Sequence, residues 1–96
     1  MKPSVSLKLN REVLLSATKR FRLTNPRVFG SVLHETDHDG SDLDILVDTL
    51  PGATLFDLGG LQDELQELLG VPVDVLTAAD LPLKFREKVL LEARPV

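Results

Sequence analysis

The stretch Asp42-Leu43-Asp44-Ile45-Leu46-Val47 constrains this chain more than any other. Aliphatic residues at 43, 45 and 47 alternate with acids at 42 and 44, which is the period of a strand. A strand of this kind buries Leu43, Ile45 and Val47 against a core. Asp42 and Asp44 then project together from the opposite face. Two carboxylates side by side repel, and the pairing is costly unless they share a proton or bind a cation. A hard divalent ion such as Mg²⁺ suits such a pair, because it prefers oxygen ligands and retains waters. The stretch therefore predicts a strand with one face in the core and two acids on the other, which either bind a cation or are solvated beside a turn.

Elements flank this strand on both sides. Asn10 to Phe21 reads as an amphipathic helix with Asn10 as its N-cap and Val13, Leu14, Ala17 and Phe21 on one face. Lys19, Arg20 and Arg22 crowd its C-terminal end, where cations suit the helix dipole. Thr24-Asn25-Pro26 predicts a break, and Arg27-Val28-Phe29-Gly30 a short strand ending in a glycine turn. Residues 31–41 read as a loop that opens with a helical turn. Thr54 with Asp57 predicts a capping box. The helix that follows carries Leu55, Leu58, Leu61, Leu65, Leu68 and Leu69 at helical spacing and stops at Gly70. Gly59 and Gly60 weaken it by about 1 kcal/mol each relative to alanine. Val71 to Leu76 predicts a third strand, and Pro82 opens a last helix to about Ala93, with Phe85, Val89, Leu90 and Ala93 as its buried side. Helices alternating with a small sheet place the chain in the α/β or α+β class. At 96 residues it is expected to be one domain, residues 1–96.

Asp74 stands in an otherwise apolar strand, Val71-Pro72-Val73-Asp74-Val75-Leu76. A charge in that setting needs a partner. A neighbouring strand carrying Asp42 and Asp44 supplies one through a shared metal; the plainer alternative is an exposed edge-strand residue. Gly30-Ser31 supplies a turn at which backbone can approach a ligand closely. Ser31 at the start of a helical turn offers a hydroxyl and amides to phosphate oxygens, and Ser41 offers one further hydrogen bond. A phosphate cradle opposite three carboxylates describes a two-metal phosphoryl-transfer site. The segment 37–44 does not fit a calcium loop, because Gly40 comes too early and no terminal Glu follows.

Charge distribution agrees. Net charge is −4, yet residues 28–82 hold twelve acids and no Lys or Arg, while residues 1–27 hold seven Lys/Arg and one acid. Bound cations would offset that central excess. The basic N-terminal segment is short and lacks an aromatic stacking set, which argues against direct nucleic-acid binding. Cysteine is absent, which removes disulfides, thiolate metal sites and thiol nucleophiles. No apolar run approaches the ~20 residues that span a bilayer, and no signal peptide is evident, so a cytoplasmic protein is the expectation.

Gly30-Ser31, ten residues, then Asp42-Leu43-Asp44 resembles the signature of the DNA polymerase β-like nucleotidyltransferases, in their minimal nucleotidyltransferase branch. Val73-Asp74-Val75 is similar to that family's third carboxylate strand, and Phe85 to Ala93 to its closing helix. The resemblance implies a small, mixed, twisted sheet with helices packed on one side. It implies AMP transfer from ATP with two Mg²⁺ ions: Asp42, Asp44 and Asp74 holding metal, Asp74 also helping to activate the acceptor hydroxyl, and Gly30 and Ser31 holding the triphosphate. Short chains of this kind resemble antitoxins that AMPylate a tyrosine of a HEPN-domain ribonuclease toxin. The chain has no tyrosine, so such a target lies in another protein, and a hetero-complex or oligomer is expected. A non-catalytic antitoxin and an enzyme acting on a small-molecule hydroxyl are the alternatives. One departure stands out: where relatives carry arginines after Gly-Ser, this chain has Val32 and His34, leaving His34, Arg27 or a partner residue to meet the triphosphate charge.

Overall fold

A computed structural model describes residues Met1–Val96. Five helices and four strands follow in the order α1 (Pro3–Leu9), α2 (Arg11–Arg20), β1 (Leu23–Phe29), α3 (Gly30–Leu33), β2 (Leu43–Thr49), α4 (Leu55–Leu69), β3 (Val73–Leu76), α5 (Leu83–Glu92) and β4 (Arg94–Pro95). A 3₁₀ turn, Ala78–Asp80, joins β3 to α5. The sheet order is β3-β2-β1-β4. β1 runs antiparallel to β2 and to β4, and β2 runs parallel to β3. The mixed sheet of the sequence reading is therefore present.

The alternation in β2 is realised as expected. Leu43, Ile45 and Val47 are fully buried with Leu14 and Ala17 of α2, Leu61, Leu65 and Leu69 of α4, and Val73 and Val75 of β3. α2 and α4 thus pack on one face of the sheet. Leu46, on the other face, is also fully buried, so that face is partly covered beyond the acids.

The strongest local signals hold. The Thr54 hydroxyl accepts from Phe56 N–H, and the Asp57 carboxylate accepts from Thr54 N–H at 2.8 Å. Gly70 closes α4 in the left-handed region at φ 69°. Gly60 costs helix propensity but gives Phe21 room: a Cβ there would lie 2.6 Å from the Phe21 ring.

Several local expectations are corrected. α1 was not foreseen, because Ser4-Val5-Ser6-Leu7-Lys8-Leu9 alternates with a period of two. It is held by tertiary bonds: the Ser6 hydroxyl donates to the Leu69 carbonyl at 2.6 Å, and the Asp37 carboxylate accepts from Ser4 N–H at 2.9 Å. The bond from Ser4 holds Asp37 below the usual carboxylate range, against the opposing effect of burial. Asn10 joins α1 to α2 without a side-chain cap; its amide donates instead to the Ser6 carbonyl. Thr24-Asn25-Pro26 lies inside β1 as a bulge rather than ending a helix. Asn25 adopts φ 52°, which asparagine tolerates better than most residues. Pro26 lacks a ladder donor, and its carbonyl accepts from Val96 N–H. Val71 and Pro72 precede β3 rather than opening it. Val13, Leu55 and Leu68, expected on buried faces, are exposed.

The largest correction concerns α5. None of its residues is buried. Phe85 and Leu90, expected inside, are exposed, as are Leu83 and Leu91.

Candidate active site

β2 and β3 bring their acids together. The parallel register sets Leu43 beside Val73 and Asp44 beside Asp74. Paired residues share a face, so the same alternation that buries Val73 and Val75 turns Asp74 towards Asp44. Asp42, immediately before β2, is exposed at the mouth of this face, while Asp44 and Asp74 are half-buried. Burial pushes the Asp44 carboxyl up to about 6, and the charges of Asp74 and Asp42 and a hydrogen bond with Asp74 act in the same direction. The face thus concentrates negative charge around a carboxyl that resists ionising alone.

Gly30 lies against Asp44. Phe29, the last residue of β1, pairs with Asp44, and the chain turns at Gly30 with φ 73°. A Cβ at Gly30 would collide with the Asp44 carboxylate, so both the conformation and the space demand glycine. The turn opens α3, whose first amides have no partner within so short a helix. Ser31 follows, half-buried, and its carbonyl accepts from Thr36 N–H at 2.9 Å. The Gly30 turn and the Asp44 carboxylate are therefore direct neighbours.

The remaining candidates sit differently. The Ser41 hydroxyl accepts from His38 N–H at 2.9 Å, so it shapes the turn leading into Asp42 and retains its own proton to donate. His34 pairs with Glu92 of α5 at 3.1 Å. Arg27 donates to Asp48 at 2.6 Å and to the Asn25 carbonyl. Both side chains are thus engaged away from the Gly-Ser turn.

No three of the chain's histidines and acids converge on one point as a complete cage. Mg²⁺ does not need one: it is commonly held by one or two carboxylates together with waters and substrate phosphates. Hard oxygen donors, an acid pushed up by burial and by its neighbouring carboxylates, and an adjoining phosphate-type turn fit that ion. Of the three expected ligands, Asp44 and Asp74 stand side by side in register and could hold it, with Asp42 exposed next to them.

Sequence reasoning missed two polar residues beside the site. The Gln66 side-chain carbonyl accepts from Val73 N–H at 3.2 Å, and that of Gln62 from Val75 N–H at 3.1 Å. Their only signal was their spacing, one turn apart on α4 and adjacent to the buried Leu61 and Leu65.

Comparisons with known proteins place the fold in a family. The nucleotidyltransferase domain family matches residues 11–96, and the chain belongs to that family. Within it the chain is of the minimal nucleotidyltransferase type. A solved structure provisionally described as a minimal nucleotidyltransferase superposes with a TM-score of 0.85 at 41% identity, covering 97% of this chain and 95% of the other. Two relatives from Methanocaldococcus jannaschii carry the provisional name protein adenylyltransferase. One is 41% identical over 66 residues, covering 69% of this chain and 71% of the relative. The other is 34% identical over 59 residues, covering 62% and 60%. A toxin–antitoxin crystal structure with AMP-PNP shares the fold, with a TM-score of 0.75 at 20% identity over 90% of this chain and 71% of that one. No helix is long and apolar enough to cross a membrane.

Proposed function

We propose that this nucleotidyltransferase moves AMP from ATP to a tyrosine hydroxyl of a partner protein, a HEPN-domain ribonuclease toxin, and so serves as its antitoxin. The observation that carries the transferase chemistry is the packing of Gly30 on Asp44 with Asp74 in register beside it. Triphosphate held at Gly30 and Ser31 would lie next to the carboxylates, with the Ser41 hydroxyl free to add a bond. Bound Mg²⁺ would supply charge neutralisation and in-line clamping of the reacting phosphate. Asp42 and Asp44 hold the ion side of the site. Asp74 orients the incoming hydroxyl and accepts its proton. The acceptor oxygen bonds the α-phosphorus, the bond from that phosphorus to the bridging oxygen breaks, and pyrophosphate leaves.

Two observations support a protein acceptor. The M. jannaschii relatives are named for adenylylating protein. Leu83, Phe85, Leu90 and Leu91 stand exposed along α5, more apolar surface than one short helix ordinarily leaves in water. His34, tied to Glu92, links that helix to the α3 turn beside the site.

Labelled ATP with Mg²⁺ and a co-encoded HEPN protein should place label on the partner. Equal labelling by Asp42→Ala with Asp44→Ala would sink the catalytic reading. Neutralisation of the toxin by that same double variant, with no labelling by the native chain, would favour an antitoxin that acts by binding alone.

A further inference from the structure

We propose that Gln62 and Gln66 are positioning residues for Asp74: their side-chain carbonyls clamp the edge strand β3 and hold its carboxylate opposite Asp44. The role assigned to Asp74 rests on the transferase reading above; the clamp itself rests on geometry. β3 is four residues long and lies at the sheet edge, paired on one side only, by a parallel ladder. Parallel pairing is the weaker kind, and an edge leaves every second amide without a strand partner. Val73 and Val75 meet that need through Gln66 and Gln62.

The two spacings match. Four residues of helix rise about 6 Å, and two residues of strand rise about 6.6 Å. α4 and β3 run in opposite directions, so Gln66 meets Val73 and Gln62 meets Val75 together in one register. A slip of one residue would break both bonds and turn Asp74 into the core. The core valines alone resist such a slip; the clamp adds a polar check on the same register and closes the edge to a second strand.

The test uses the full chain with Gln62→Met and Gln66→Met, singly and together, since methionine keeps the length and loses the carbonyl. Amide hydrogen exchange at Val73 and Val75 reads the clamp, with Leu65 and Val47 as internal controls for folding. Mn²⁺ binding without nucleotide reads the placement of Asp74. The expected result is lost protection at both valines with controls unchanged, and Mn²⁺ affinity lowered about tenfold, as for other groups that orient ligands. Gln62→Glu with Gln66→Glu, which keeps an oxygen acceptor, should restore protection. Lost protection with Mn²⁺ affinity within about twofold of native would overturn the proposal and leave the glutamines as edge cover only; unchanged protection would overturn it outright. If the native chain binds no Mn²⁺, the metal reading fails, and a crystal structure of the double Met variant decides the clamp: Asp74 in its native place refutes it, Asp74 displaced supports it.

Discussion

The carboxylate half and the phosphate half of the site are built by different means. Asp44 and Asp74 are set by two core strands whose valines, leucine and isoleucine leave them no other face. The Gly30-Ser31 turn depends instead on one backbone conformation and one missing side chain. The first half carries an excess of charge. In the second, the two residues expected to meet the triphosphate charge are engaged elsewhere, His34 with Glu92 and Arg27 with Asp48. Core packing can fix the direction of a short acid, whereas charge balance at a ligand is left to what arrives with the ligand.

That contrast can be tested at both ends. Asp44→Asn should give the largest effect: transfer lowered by more than about a hundredfold, since even residues one step removed from a metal can cost about 10–100-fold. Single-turnover transfer from labelled ATP measures it, and a loss confined to nucleotide affinity would contradict the division of labour. Gly30→Ala should cost about 1–2 kcal/mol from the left-handed conformation alone, with a further penalty where its methyl meets Asp44. Denaturant unfolding reads this, and a change under about 0.5 kcal/mol would show that the two halves are not in the contact described.

The pH dependence is smaller and has a definite sign. Asp44 holds its proton to about 6 when folded, against 3.8 ordinarily. The folded state therefore binds more protons in that window, and this group's contribution to stability is present below 3.8 and lost as pH rises through about 6. Thermal unfolding without divalent ion should show the loss, and Asp44→Asn should remove it. Mg²⁺ should stabilise the native chain more at pH 7.5 than at pH 5, where Asp44 is protonated. His34→Arg should have the smallest effect. If the phosphate half lacks only a cation, KM for ATP should fall by no more than about fivefold, because exposed ion pairs bring about 0.2–1 kcal/mol. An unchanged KM would show that the residue at position 34 stays with Glu92 and does not serve the triphosphate.

How much could be read without coordinates varied with how local the cause was. The Thr54–Asp57 cap, the Gly70 stop and the alternation of β2 each depend on neighbours in sequence, and each is found as expected. α1 is held by bonds from Ser6 to Leu69 and from Ser4 to Asp37, across long sequence separations, which no local pattern shows. The bulge at Asn25 needed a strand partner to be recognised as a bulge. α5 carries apolar residues at helical spacing, and spacing cannot say whether a face meets its own core or stays open.

The sequence by itself determined that Asp42 and Asp44 share a face, that Leu43, Ile45 and Val47 oppose them, and that a glycine turn precedes them. Those follow from the period of a strand and from residue chemistry. Tertiary structure decided that Asp74 stands beside Asp44 rather than on an exposed edge, that Gly30 packs on that carboxylate, and that His34 and Arg27 are committed elsewhere. Register between strands is a long-range choice, made when the whole core is packed at once.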